Sequence, residues 1–176
     1  MHVTPVAEMR RLLTPLADEP ASWYLRVRAG ADSEQPPAEL LHAVLLAPGF
    51  DRGPFAHLAH LPTTVEDLAE DLRPVSVTNE RMLAFLVTLC TEDRAHGAPF
   101  GPWTPDRARD ALRRVVDVLG PETRWWSNVT YPDRAWASGD FSDAFSSNPV
   151  TGYTLDCAVI GIGRNTTLTL LAFALS

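Results

Sequence analysis

Two apolar runs at the end of the chain form its clearest structural pattern. Residues 154–162 and 166–175 are rich in β-branched and apolar side chains, and a short link at residues 163–165 separates them. Two such runs around a glycine-containing link are typical of a β-hairpin, and we expect the link to use positive φ angles. Because the second run is apolar to its end, we predict that the hairpin is built into the core.

Apolar residues recur at helical spacing in four segments, which predicts helices over residues 5–13, 64–72, 79–91 and 105–119. A threonine precedes each helix as a candidate N-cap: Thr4, Thr63, Thr78 and Thr104. Gly120 is placed to end the last helix.

Strand-like patterns lie on both sides of the three later helices. Residues 22–28 alternate between apolar and polar, residues 40–46 form a short apolar run that we assign as a weak strand, and residues 123–130 predict a strand. In that last strand Trp125 and Trp126 would point to opposite faces of the sheet. Residues 131–151 are expected to form a long polar connection.

The order of these elements decides the fold class. Like elements follow one another instead of alternating strictly, which indicates an α+β protein with an antiparallel sheet. We therefore predict a single domain over residues 1–176, in which the sheet ends in the C-terminal hairpin and about four helices cover one face.

Composition restricts the class of partner. Hydrophobic residues make up 45% and charged residues 21%, which is ordinary for a globular protein. A net charge of −7 argues against nucleic-acid binding and favours a basic partner. Neither a signal peptide nor a transmembrane run is evident, so we expect a cytoplasmic protein without membrane contact. All 15 basic residues are arginine, and with abundant alanine, leucine and proline this composition suggests a GC-rich coding sequence and an actinobacterial type of host.

Catalytic and metal-binding patterns are weak in this sequence. Without lysine there is no P-loop lysine and no Schiff-base chemistry. Gly161 and Gly163 imitate the start of a dinucleotide fingerprint, but a strand follows where that motif needs a helix. His57 and His60 are spaced like the beginning of a metal site, yet no nearby ligand completes the set. We predict no catalytic residue, no metal and no cofactor, and two buried thiols at Cys90 and Cys157.

Aromatic and acidic residues concentrate between residues 125 and 156. Aromatic side chains beside carboxylates on loops are common in recognition surfaces. We predict a partner-binding surface formed by a set of five residues: Trp126, Tyr131, Trp136, Asp140 and Asp143. Two alternatives stay open, because the aromatic residues could instead close the edge of the core, and Asp140 with Asp143 or Asp156 could form an acid–base pair.

Residues 147–160, with the sequence SNPVTGYTLDCAVI, resemble a segment of small bacterial immunity or accessory proteins of toxin systems. In those proteins an Asn-Pro-[Val/Ile]-[Thr/Ser] loop leads through an aspartate into the last hairpin. The resemblance implies a protein-binding function and supplies no catalytic residue. Two other function classes remain as alternatives. One is a small enzyme or ligand-binding domain with a pocket between helices and sheet, and the other is a structural subunit of a larger assembly.

Overall fold

The computed structural model describes residues 3–18, 21–54, 56, 61–142 and 145–175. Within these residues the elements follow in the order α1 (Pro5–Leu13), β1 (Leu25–Gly30), α2 (Pro37–Leu45), α3 (Val65–Asp71), β2 (Arg73–Val75), α4 (Asn79–Thr91), α5 (Pro105–Leu119), β3 (Arg124–Ser127), β4 (Val129–Thr130), α6 (Asp133–Ser138), β5 (Ser146–Ser147), β6 (Leu155–Ile162) and β7 (Thr167–Ala174). Short 3₁₀ turns at Thr14–Ala17 and Ala21–Trp23 join α1 to β1.

The main sheet of the described residues has five strands in the order β1-β7-β6-β3-β2, and every neighbouring pair is antiparallel. Strands β6 and β7 pair along their whole length, from Leu155 opposite Ala174 to Ile162 opposite Thr167. The predicted C-terminal hairpin is therefore confirmed, and it lies inside the sheet because β1 and β3 flank it. Strands β4 and β5 form a separate small pair.

Two hydrophobic cores lie on opposite faces of this sheet. Leu168, Leu170 and Ala172 of β7 face the first core, which also contains residues of α1, α4, α5 and α6. Leu171 and Phe173 face the second core, which contains residues of α2 and α3. The α+β class, the antiparallel sheet and four helices on one face agree with the prediction. Helix α3 on the second face was predicted, over residues 64–72, whereas α2 on that face and α6 on the first face were not predicted as helices.

The strand that we expected at residues 40–46 is wrong, since this segment belongs to helix α2. The helix begins at Pro37, where a proline at the first helical position costs no hydrogen bond. Its apolar residues pack on the second core, with Leu41 fully buried. A short, continuously apolar run has no periodicity that separates a strand from a buried helix.

The hairpin link does not use the positive φ angles that we expected, because neither Gly163 nor any non-glycine residue among those described adopts one. Gly163 is instead required by close packing, since a Cβ there would lie 2.2 Å from the carbonyl oxygen of Leu119. Gly161 lies under the ring of Trp125, its partner across the β3–β6 ladder. Both glycines therefore have a structural role.

Candidate functional site

Five aromatic rings form one cluster between α4 and the chain that surrounds α6. This aromatic cluster consists of Phe85, Tyr131, Trp136, Phe141 and Phe145. Phe85 of α4 is fully buried, and its ring centroid lies 5.4 Å from that of Tyr131 and 4.7 Å from that of Phe141. Because residues 131–142 and Phe145 supply four of the rings, this part of the chain is packed on the first core and is not the polar connection that we expected.

Tyr131 is only 5% exposed, and its hydroxyl accepts a hydrogen bond from Arg94 Nη2. Burial raises the pKa of Tyr131 to about 12, although the guanidinium of Arg94 acts in the opposite direction. The same guanidinium lies 5.9 Å from the ring centroid of Phe145. A side chain this buried supports a surface from within, so a direct contact of Tyr131 with a partner stays a prediction.

The two tryptophans of the predicted surface lie in different places. Trp136 on α6 is half-buried in the aromatic cluster, 5.2 Å from Phe85 and 5.0 Å from Phe141 between ring centroids. Trp126 packs against the second core, on the opposite face of the sheet, with Arg124 over its ring at 5.2 Å. The sheet thus separates Trp126 from Tyr131 and Trp136, while Trp125 faces the first core, so the two tryptophans point to opposite faces as expected.

An open cleft of about 440 Å³ lies beside the aromatic cluster, and we call it the acidic cleft. Its lining comes from the end of α4 with the loop after it, and from the chain after α6: Thr88, Glu92, Asp93, Arg94, Ala95, His96, Gly97, Gly139, Asp140, Phe141, Ser142 and Phe145. Three of these residues are carboxylates, which outnumber the single arginine, Arg94. The cleft therefore presents a negative surface.

Hydrogen bonds fix two of the three carboxylates. The backbone N–H groups of His96 and Ala98 donate to the two carboxylate oxygens of Asp93 at 2.6 and 3.2 Å. The N–H and hydroxyl of Ser142 donate to Asp140 Oδ1 at 3.0 and 2.6 Å, and these bonds hold the pKa of Asp140 below its usual value. Each oxygen keeps acceptor capacity for a cation.

The cleft brings together only part of the predicted set. Asp140 lies on its rim, Trp136 packs in the aromatic cluster behind it, and Asp143 lies outside the described residues. Glu92 and Asp93 were missed, because they lie between the predicted helices 79–91 and 105–119, in a segment without a predicted element. Their position directly after the buried helix α4 was the available signal, since loop residues at the end of a rigid element often carry function.

A second polar arrangement surrounds Asp156, which is 6% exposed on the second face of the sheet. Its carboxylate accepts hydrogen bonds from Asn128 Nδ2 at 2.7 Å, from the hydroxyl of Thr151 at 2.7 Å and from the N–H of Thr151 at 2.9 Å. The N–H of Val150 is a further donor. Burial raises the pKa of Asp156, and these donors oppose that shift.

This arrangement explains the structural role of the Asn-Pro-Val-Thr loop. Asn128 also accepts from the N–H of Ala158 at 2.7 Å, and Arg52 Nη2 donates to the carbonyl oxygen of Val150 at 2.7 Å. Asp156 therefore holds the loop against the start of β6. Asp140 lies at the cleft on the first face, so the structure does not bring Asp140 and Asp156 together as an acid–base pair.

The remaining candidate chemistry concerns two cysteines and two histidines. Cys90 and Cys157 are free and buried, and burial raises the pKa of each thiol to about 12. His57 and His60 lie outside the described residues. Within the part of the chain that the structure describes, no group of three or more His, Cys, Asp or Glu side chains could hold a metal ion. No helix in that part is long and apolar enough to cross a membrane.

Comparison with protein-family models, curated proteins and solved structures finds no match for this chain.

Proposed function

We propose that this chain is a protein-binding domain whose acidic cleft recognises a basic segment of a partner protein. The observation that carries this proposal is the convergence of Glu92, Asp93 and Asp140 around one cleft, although Asp140 is distant from the other two in sequence. A concave surface with several carboxylates attracts arginine and lysine side chains.

The cleft is also organised before binding. The aromatic cluster forms one wall, and the amide groups of the two turns orient Asp93 and Asp140. A preorganised surface loses less conformational entropy when a partner binds, so more of the interaction free energy contributes to affinity. The net charge of −7 adds long-range attraction for a basic partner.

Within this class we propose the role of an immunity protein that neutralises a toxin. The resemblance of residues 147–160 to segments of such proteins supports this role. A toxin that acts on nucleic acid needs a basic surface for the phosphates, and an acidic cleft would compete for that surface.

The test uses the product of the reading frame directly upstream of this chain's own. We expect that product to stop growth when it is expressed alone, and growth to recover when this chain is co-expressed. We also expect the purified pair to form a complex whose association slows as salt increases. In the variant Glu92→Gln/Asp140→Asn, association at low salt should slow by about tenfold, because electrostatic attraction acts mainly on the association rate.

A matched control removes two exposed carboxylates from α3, on the other face of the sheet. The variant Glu66→Gln/Glu70→Gln has the same change in net charge and should associate at the wild-type rate. If both double variants slow association equally, the acidic cleft is not the binding site. If the upstream product neither stops growth nor binds, the immunity role is refuted.

A further inference from the structure

Strand β1 forms one edge of the main sheet, and a groove of about 430 Å³ runs along it. The consecutive strand residues Leu25, Arg26, Val27 and Arg28 all border this groove. Because alternate side chains of a strand point to opposite faces, only the edge of the strand can meet all four. The floor of this edge groove is therefore the backbone of β1.

The helical layers on both faces of the sheet supply the walls of the edge groove. Leu16 and Ala17 of the 3₁₀ turn form one wall, while the end of α2 and the residues after it form the other. Leu16 belongs to the first core and Val44 to the second. Two large hydrophobic side chains that are exposed in the described residues, Trp23 and Leu46, are sequence neighbours of the lining residues Ser22 and Ala47.

The hydrogen-bond register shows which backbone groups face the groove. The N–H of Phe173 donates to the carbonyl oxygen of Tyr24 at 2.9 Å, and the next pair along the ladder is Leu25 opposite Ala172. In an antiparallel pair, bonded and non-bonded positions alternate. The N–H and C=O groups of Leu25, Val27 and Ala29 therefore point away from β7, towards the free edge.

Side-chain contacts agree with this assignment. The carbonyl oxygen of Leu25 accepts from Arg26 Nη1 at 3.2 Å, and that of Ala29 accepts from Arg10 Nη2 at 3.4 Å. Both carbonyl groups are thus accessible to side chains at the free edge. Val27 lies between them, where its N–H and C=O can pair with another strand.

Charge determines which chain fits this edge. Arg26 and Arg28 lie on the same face of β1, and no carboxylate within the described residues forms an ion pair with either. Leu25 and Val27 on the opposite face are apolar. A strand added here meets arginine on one face and aliphatic side chains on the other, so it fits best when acidic and apolar residues alternate.

The same arginines disfavour a second copy of this chain as the occupant. Antiparallel self-pairing centred on Val27 would place Arg26 of one copy opposite Arg28 of the other, twice in each dimer. Like charges directly opposite one another destabilise a sheet, and charged edges are a known means of avoiding self-association.

We propose that the edge groove binds an extended acidic segment of a partner polypeptide, which adds a sixth strand next to β1. The four bordering residues correspond to about 14 Å of strand. Backbone pairing with Val27 holds the segment, and Arg26 and Arg28 select its acidic side chains. The edge groove is separate from the acidic cleft. It binds an acidic segment, whereas the acidic cleft binds a basic one.

The experiment uses two fluorescein-labelled peptides with blocked ends, Thr-Val-Glu-Val-Glu-Val-Thr and the same sequence with lysine in place of glutamate. We expect saturable binding of the glutamate peptide and at least tenfold weaker binding of the lysine peptide. In ¹⁵N NMR spectra the amide of Val27 should shift as the glutamate peptide is added. Arg28→Glu leaves Arg26 as the only positive side chain on this face, beside a new carboxylate, and should remove the preference, whereas Arg81→Glu on the exposed side of α4 should leave it unchanged.

A further variant separates backbone pairing from charge attraction. Val27→Pro removes the outward N–H without removing a bond to β7, and it should weaken binding of the glutamate peptide at least tenfold at unchanged charge. Thermal melts verify that each variant is folded. If Val27→Pro does not fold, the shift of the Val27 amide in the wild type tests backbone pairing in its place. The proposal is overturned if both peptides bind with equal affinity or if the Val27 amide does not shift. It is also overturned if the wild-type protein forms dimers that become more stable in Arg28→Glu, because a second copy would then occupy the edge.

Discussion

At the scale of single residues, Asp156 has surroundings that only a carboxylate can satisfy. Both carboxylate oxygens accept hydrogen bonds, and every partner is an N–H or O–H donor. The side chain is nearly inaccessible to water. If an NH₂ group replaced either carboxylate oxygen, it would therefore find no acceptor for its hydrogen bonds. The residue that the sequence pattern linked to the Asn-Pro-Val-Thr loop therefore serves to hold that loop.

We predict that Asp156→Asn destabilises the fold by about 2–3 kcal/mol, despite its nearly identical shape. Its NH₂ group must face either the donors of Thr151 or the amide of Asn128, which leaves buried donors unsatisfied. Chemical denaturation measures this loss. Asp140→Asn is the exposed control and should shift the denaturation midpoint much less, because water solvates its side chain. An unchanged midpoint for Asp156→Asn would show that the loop does not depend on the carboxylate.

Tyr131 provides a pH-dependent prediction. Its pKa is raised from 10 to about 12 in the folded protein, so folding favours the neutral phenol. The corresponding stability is fully present below pH 10 and is lost as the pH rises through about 12, which corresponds to about 2–3 kcal/mol. Absorbance at 295 nm should show a tyrosinate step near pH 12 that Tyr131→Phe removes. A Tyr131 step near pH 10 would indicate an exposed hydroxyl.

At the scale of elements, helix α6 depends on one side chain for its attachment to α4. Trp136 contacts Phe85 of α4, and Ala135 is the buried residue of α6. With six residues, α6 is too short to be stable without tertiary contacts. The position of α6, and with it one side of the acidic cleft, therefore follows from the packing of an aromatic ring.

We expect Trp136→Ala to destabilise the fold by about 3 kcal/mol, because it removes a large ring from a packed cluster. A thermal melt measures the loss, and Trp23→Ala, which truncates a tryptophan that is 58% exposed, should change the melting temperature little. If Trp136→Ala melts like the wild type, Trp136 is available as a contact residue for the partner, as the sequence analysis proposed.

Sequence patterns were reliable where local chemistry determines an element. The bounds of α4 and α5 agree with prediction because Thr78 and Thr104 cap them through their side chains, as the sequence indicated. The weak strand at residues 40–46 failed because its apolar run lacks a period, and β2 was missed because its three residues follow a helix closely. Much of the candidate site was inaccessible to sequence reasoning, since Glu92 and Asp140 meet only through the packing of α6 on α4.

At the scale of the whole molecule, one sheet separates two cores, and each cysteine lies within the first. Cys90 comes from α4 and Cys157 from β6, so both thiols are inaccessible unless the helices leave the sheet. Burial raises the pKa of both to about 12, which suppresses the reactive thiolate at neutral pH.

The thiols should therefore report global unfolding. We predict that neither cysteine reacts with 5,5′-dithiobis(2-nitrobenzoic acid) in the native protein at pH 8, and that both react in 6 M guanidinium chloride, which follows from their complete burial. Their modification rate at intermediate denaturant should follow the unfolded fraction measured by circular dichroism. Rapid modification of one thiol in the native state would indicate local opening of the first core.

The two edge strands of the main sheet differ in their capacity to pair with a further strand. Strand β2 has three residues, and Pro74 at its centre has no N–H to offer a neighbouring strand. Strand β1, at the opposite edge, has six residues, of which every second one turns its backbone groups outward, and it borders a groove. If a partner strand pairs with β1, the sheet cannot be extended further at β2. The protein would then cap an exposed strand of its partner and would not assemble into a continuous sheet of many molecules.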